Sequence, residues 1–127
     1  MPGSLVLIGG DPGIGKSTLL LQTSEMVAKN NKAVVYISGE ESTNQIKLRT
    51  ERLNISGKGI YFLSETNLDL ILGHLEALSL GLVIIDSIQT MYLENIAGAT
   101  GSIAQIRECT LRLMNWAKQN NVPVFIA

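Results

Sequence analysis

Five short apolar runs punctuate the chain, at residues 5–8, 33–37, 60–63, 82–85 and 122–126. Leu5-Val6-Leu7-Ile8 rises straight into Gly9-Gly10, and Ala33-Val34-Val35-Tyr36-Ile37 ends at Ser38-Gly39. These runs are near-continuously apolar and rich in β-branched residues, the pattern of strands covered on both faces in a parallel sheet. The segments between them carry helical spacing instead. Residues 16–30 place Leu20, Thr23/Ser24 and Val27 on one stripe, and residues 42–53 open with Ser42-x-x-Gln45, a capping box. Residues 67–80 carry Leu68, Ile71, Leu72, Leu75 and Leu78 at i, i+3, i+4 spacing. Residues 102–120 open with a second such string, Ser102-x-x-Gln105, and repeat Ile103, Ile106, Thr110, Leu113 and Ala117. Strand and helix in strict alternation predict a layered α/β fold with right-handed crossovers. One loop stands out: residues 94–101, rich in Gly, Ala and Thr, are long enough to be mobile.

Composition narrows the class without naming a function. A length of 127 residues is one domain or part of one. Hydrophobic residues at 46% and charged residues at 17% suffice for a packed core and exclude a disordered or fibrous chain. Ten Lys+Arg against eleven Asp+Glu leave a net charge of −1, so no global basic field holds nucleic acid or an anionic membrane. Cys109 stands alone, which rules out an internal disulfide and a zinc site built from cysteines, and fits a reducing compartment. No basic leader precedes an apolar stretch, and no run approaches the roughly 18 apolar residues of a membrane span. The expectation is a soluble, cytoplasmic protein with no membrane partner. The chain also starts almost at a strand and stops inside one, so residues 1–127 are expected to be a single partial domain of a longer protein.

The strongest chemistry lies after the first run. Gly10-Asp11-Pro12-Gly13-Ile14-Gly15-Lys16-Ser17 fits G-x-x-x-x-G-K-[ST], between an apolar strand and a helix, where a phosphate-binding loop must sit. Its glycines allow backbone angles that turn N–H groups inward into an anion nest. The following helix offers free amides and a partial positive charge to the same phosphates. Lys16 reaches the β- and γ-phosphates, Ser17 coordinates Mg²⁺, and Thr18 faces the α-phosphate. The expected ligands are ATP and Mg²⁺.

A phosphate loop needs acidic partners. Leu82-Val83-Ile84-Ile85-Asp86 ends an apolar strand in a carboxylate, at the sheet edge where open α/β folds bind ligands, and Asp86 is assigned to the metal. The second strand ends in Ser38-Gly39-Glu40-Glu41-Ser42. Glu40 is preferred as the group that orients the attacking water, and Glu41 as a carboxylate that favours the positive end of the next helix. Ser87, Gln89 and Thr90 either sense the γ-phosphate or merely satisfy the turn after Asp86. Arg49, Arg52, Arg107 and Arg112 read as solvated helix faces, His74 as a surface residue, and Cys109 and Trp116 as packing residues.

These segments, taken in series, resemble the RadA (Sms) family of bacterial DNA-repair ATPases. The residues that carry the likeness are the run from Pro2 through Gln22, then Tyr36-Ile37-Ser38-Gly39-Glu40-Glu41-Ser42, Leu63-Ser64-Glu65-Thr66-Asn67, Ile85-Asp86-Ser87-Ile88-Gln89-Thr90-Met91-Tyr92 and Gln105-Ile106-Arg107-Glu108-Cys109. The resemblance implies a P-loop NTPase core of RecA type, a mainly parallel sheet flanked by helices, in strand order 3-2-4-5-1 with strand 1 at an open edge. It further implies ATP hydrolysis with Mg²⁺, Asp86 as the Walker B acid and Glu40 as the catalytic glutamate. It also implies a hexameric ring that works on single-stranded or branched DNA, a recombinase as partner, and branch migration of recombination intermediates. Members of the family carry an N-terminal four-cysteine zinc ribbon and a C-terminal Lon-protease-like domain, and neither is in these residues. A second reading from another class is a RecA-like regulatory nucleotide-binding module that does no work on DNA. A small-molecule P-loop kinase would require an acceptor pocket and a lid, and the sequence offers neither.

Overall fold

A computed structural model describes residues 3–8, 16–30, 32–76 and 78–127, with Lys16 and Ser17 described in their backbone only. Among the described residues five strands and four α-helices alternate: β1 (Leu5–Leu7), α1 (Lys16–Lys29), β2 (Ala33–Ser38), α2 (Thr43–Arg52), β3 (Ile60–Ser64), α3 (Leu68–Leu75), β4 (Leu80–Asp86), α4 (Ile103–Asn120) and β5 (Val124–Ile126). All strand pairs are parallel, in the order β1-β5-β4-β2-β3, which is the order expected of a RecA-type core.

The apolar runs hide a period of two. Along β2, Val34 and Tyr36 pack on one face with Leu20 and Leu21 of α1 and Ile46 of α2. Val35 and Ile37 pack on the other, with α3 and α4. In β4, Leu82 and Ile84 join the first cluster and Val83 and Ile85 the second. Strands clothed by helices on both sides need apolar residues at every position, which is why no alternation is visible in the sequence.

The edge strand β1 departs from that expectation. Among the described residues it pairs with β5 alone, at the open edge the RecA-type order implies, and Leu7 is 68% exposed, so two-sided cover fails there. Two helices also differ. The third ends at Leu75 rather than near residue 80, because β4 already begins at Leu80 and the chain needs the intervening residues to turn; Leu78 accordingly faces solvent. On α4 the buried stripe is Gln105, Cys109, Leu113, Trp116 and Ala117, while Ile103, assigned to the apolar face, is 76% exposed. A buried glutamine sets that helix's rotation.

Candidate functional site

The C-terminal ends of β2 and β4 lie side by side, with Ser38 opposite Asp86 in register. The Gly39 N–H donates to the Asp86 carbonyl at 3.0 Å, so the two ends are tied by backbone. Asp86 is half-buried, and the Tyr36 hydroxyl donates to its Oδ2 at 2.8 Å. The Asp86–Ser87 peptide is cis, and the chain then enters a 3-10 turn, Ile88–Thr90. Ile88 N–H donates to Ala127 O, which brings β5 to the same end of the sheet.

Glu40 is exposed in the bend one residue beyond Gly39, so the structure brings it to the strand end that carries Asp86. Glu41 behaves otherwise. Its N–H donates to Ser38 Oγ at 3.0 Å, and its carboxylate pairs with Arg49 of α2. Burial works against the charge of Arg49, but the hydrogen bond and attraction of Glu41, with Tyr36 and Asp86 adding, hold its pKa above the ordinary value. Arg49 is therefore not a solvated face, as its helical spacing suggested. Arg112 pairs with Asp69 at 2.8 Å on the surface, and Arg52, Arg107 and His74 are exposed, as expected. Ser42 forms a full capping box with Gln45, which starts α2 directly after the two glutamates.

Gly39 was not anticipated as a site residue. A Cβ there would lie 2.5 Å from Thr90 Cβ, so only glycine lets the end of β2 close on the 3-10 turn. Thr90 Oγ1 donates to Ser87 O at 2.7 Å and so satisfies the turn. Gln89 remains exposed and Ser87 half-buried. The glycine after a strand and before an acid was the available signal.

The segment that follows is held more firmly than its composition suggests. Gln105 is buried, and its Oε1 accepts from Leu93 N–H at 2.9 Å. Its Nε2 donates to the carbonyls of Leu93, Ile96 and Gly98. Asn67 Nδ2 donates to Glu94 Oε1 at 3.0 Å, and Leu68 N–H to Tyr92 O. Backbone N–H groups of Asn67 and Thr66 hydrogen-bond Glu65 and keep its carboxyl below the usual range. The start of the 94–101 loop is thus clamped from α4 and α3.

Of the phosphate loop, Gly10, Asp11, Pro12, Gly13, Ile14 and Gly15 lie outside the described residues, as do the side chains of Lys16 and Ser17. Lys16 and Ser17 are the first two residues of α1, and Thr18 follows, half-buried. Among the described residues no group of three His, Cys, Asp or Glu gathers around a metal position. Mg²⁺ is commonly held by one or two carboxylates together with substrate phosphates. Asp86, half-exposed at a strand end with its carboxylate oriented by Tyr36, supplies such a carboxylate. Among the described residues no helix is long and apolar enough to cross a membrane.

Comparison with known proteins agrees with this geometry. A family model described as an AAA domain matches residues 1–127. The DNA repair protein RadA of Listeria monocytogenes is 53% identical over 126 residues, covering 99% of this chain and 28% of the relative. That of Bacillus subtilis is 52% identical over 124 residues, covering 98% and 27%. That of Streptococcus pyogenes is 53% identical over 126 residues, covering 99% and 28%. The chain therefore spans little more than a quarter of the length of these curated relatives.

Proposed function

Because the chain belongs to the AAA domain family, we propose that it is the ATP-binding and ATP-hydrolysing core of a DNA-repair motor that drives branch migration of recombination intermediates. The observation that carries the reading is the shared end of β2 and β4, where Asp86, bound by Tyr36, stands beside the Gly39-Glu40 bend. Its likeness to DNA repair protein RadA over almost the whole chain supports the biological assignment.

In this mechanism the backbone amides of residues 10–17 and the N-terminus of α1 grip the phosphates. Lys16 reaches the β- and γ-phosphates and neutralises the charge that develops on transfer, while Thr18 contacts the α-phosphate. Ser17 and Asp86 would hold Mg²⁺, which when bound would supply Lewis-acid neutralisation of the phosphate charge. Glu40 accepts a hydrogen bond from the attacking water and aligns it with the γ-phosphorus. Glu41, paired with Arg49, keeps α2 docked so that the bend carrying Glu40 is held. The complete protein assembles as a hexameric ring in the cytoplasm, works on single-stranded or branched DNA, and acts with a recombinase.

Titration with a fluorescent ATP analogue tests the core of this reading. Lys16→Glu abolishes binding, whereas Glu40→Gln binds like the parent and loses residual hydrolysis. Parent-like hydrolysis by Glu40→Gln would show that another group positions the water. Turnover stimulated by branched DNA in the complete protein separates a motor from a regulatory nucleotide-binding module, which ignores DNA.

A further inference from the structure

We propose that Tyr36 is a positioning residue that fixes the carboxylate of Asp86 for the metal, a role that rests on the reading of Asp86 as the metal acid. Tyr36 is completely buried in β2, among Leu20, Ile46 and Ile84. Its ring meets Phe62 with centroids 6.1 Å apart and planes tilted by 52°. Phenylalanine would fill that apolar space equally well, and a hydroxyl taken out of water is costly unless it finds a partner. The partner is Asp86, fifty residues away in sequence and on the neighbouring strand.

Strand register explains how the bond is made. Tyr36 stands opposite Ile84, and Asp86 lies two residues further along β4, hence on the same face. The tyrosine therefore reaches toward the C-terminal end of the sheet and meets the carboxylate from the core side. An ionised carboxylate offers about four acceptor positions, and a donor fixed on one of them sets the plane in which the others lie. The ring itself is held by packing against Leu20 and Leu21 of α1 and Ile46 of α2. Hydrogen bonds from outside a metal's ligand set, to the ligands themselves, commonly govern metal affinity by about 10- to 100-fold.

The test uses the full chain and reads binding rather than turnover. Nucleotide affinity is measured with a fluorescent ATP analogue, first in EDTA and then along a Mg²⁺ titration. Tyr36→Phe leaves the metal-free affinity unchanged and raises the Mg²⁺ midpoint about tenfold. Asp86→Asn, run alongside, loses the Mg²⁺-dependent gain. A parent-like Mg²⁺ midpoint in Tyr36→Phe, with the gain lost in Asp86→Asn, overturns the role of Tyr36 and leaves the metal reading standing. A Mg²⁺ gain retained in Asp86→Asn removes the metal reading and this proposal with it. A fall in both affinities together in Tyr36→Phe marks a packing residue only and also overturns it. Should Tyr36→Phe fail to fold, the near-UV tyrosine band of the parent decides. Adding Mg²⁺ to the nucleotide-loaded parent shifts that band, the shift persists in Tyr61→Phe and Tyr92→Phe, and it is absent in Asp86→Asn. No shift in the parent overturns the proposal.

Discussion

Gln105→Ala is expected to loosen the segment after Asp86 far more than a polar-to-alanine change on a helix usually does. Gln105 makes four contacts: it accepts from Leu93 N–H at 2.9 Å and donates to Leu93 O, Ile96 O and Gly98 O at 3.1, 2.8 and 3.2 Å. Leu93 is only 1% exposed, so its N–H loses its partner without regaining water, while its carbonyl keeps a longer bond from Ile96 N–H at 3.3 Å. Each buried group left unsatisfied costs about 1–3 kcal/mol. The carbonyls of Ile96 and Gly98 are nearer solvent and recover part of their loss by hydration. The sum is about 2 kcal/mol, which at a urea m-value of about 1–3 kcal/mol/M lowers the midpoint by about 0.7–2 M.

The chain supplies its own control for that variant. Gln45 occupies the same place in an identical Ser-x-x-Gln string, but it is exposed and its Oε1 accepts only from Ser42 N–H. Gln45→Ala should cost no more than about 1 kcal/mol. Hydrogen exchange then locates the damage: Leu93 loses protection in Gln105→Ala beyond what global destabilisation explains. Equal urea midpoints for the two variants, or unchanged protection at Leu93, would refute the clamp.

Two further outcomes follow from the same geometry. Gly39→Ala places a methyl 2.5 Å from the position of Thr90 Cβ, which is anchored to the backbone of the 3-10 turn. Relief must shift that turn or the end of β2, at a cost of about 1–3 kcal/mol, and hydrolysis should fall more than nucleotide affinity because Glu40 moves; Thr90→Gly in the same chain should restore part of both. Cys109 is fully buried, and burial pushes its thiol up to about 11, with nearby Arg112 opposing. The unfolded thiol ionises first as pH rises, so the stability this group contributes is complete below about pH 9 and lost as pH climbs toward 11. In native protein at pH 8, alkylation should therefore proceed only at the rate of unfolding; immediate labelling would show that α4 does not cover the thiol.

What could be read in advance was local in character. The order of elements follows from runs and spacings a few residues long, and the Ser42 cap was legible because all its parts lie within one turn. That Asp86 and Glu40 come to one end of the sheet was legible because the ends of parallel strands converge wherever the sheet is built this way. Long-range partners were not legible. Tyr36 sits in an aliphatic run with nothing nearby to mark its hydroxyl, and its acceptor is fifty residues distant. Arg49 has the spacing of a surface residue, yet it is half-buried and pairs with Glu41, which precedes the cap.

The two Ser-x-x-Gln strings show why periodicity misplaced the face of α4. In both, the serine hydroxyl accepts the glutamine N–H, as a helix start requires. At α2 solvent surrounds the glutamine, and its side chain folds back to the Ser42 backbone. At α4 the loop arrives with the N–H of Leu93, which would otherwise be buried unpaired, and with the carbonyls of Ile96 and Gly98 beside it, and Gln105 turns inward to meet them. Helical geometry then carries Cys109, Leu113 and Trp116 into the core with it, and Ile103, two positions earlier, is turned out to solvent. A hydrophobic stripe read from the helix alone assigns the buried face to its isoleucines. The unsatisfied backbone of a neighbouring loop outweighs one exposed side chain, whose burial is worth only about 1.5–3 kcal/mol, because several polar groups are at stake together.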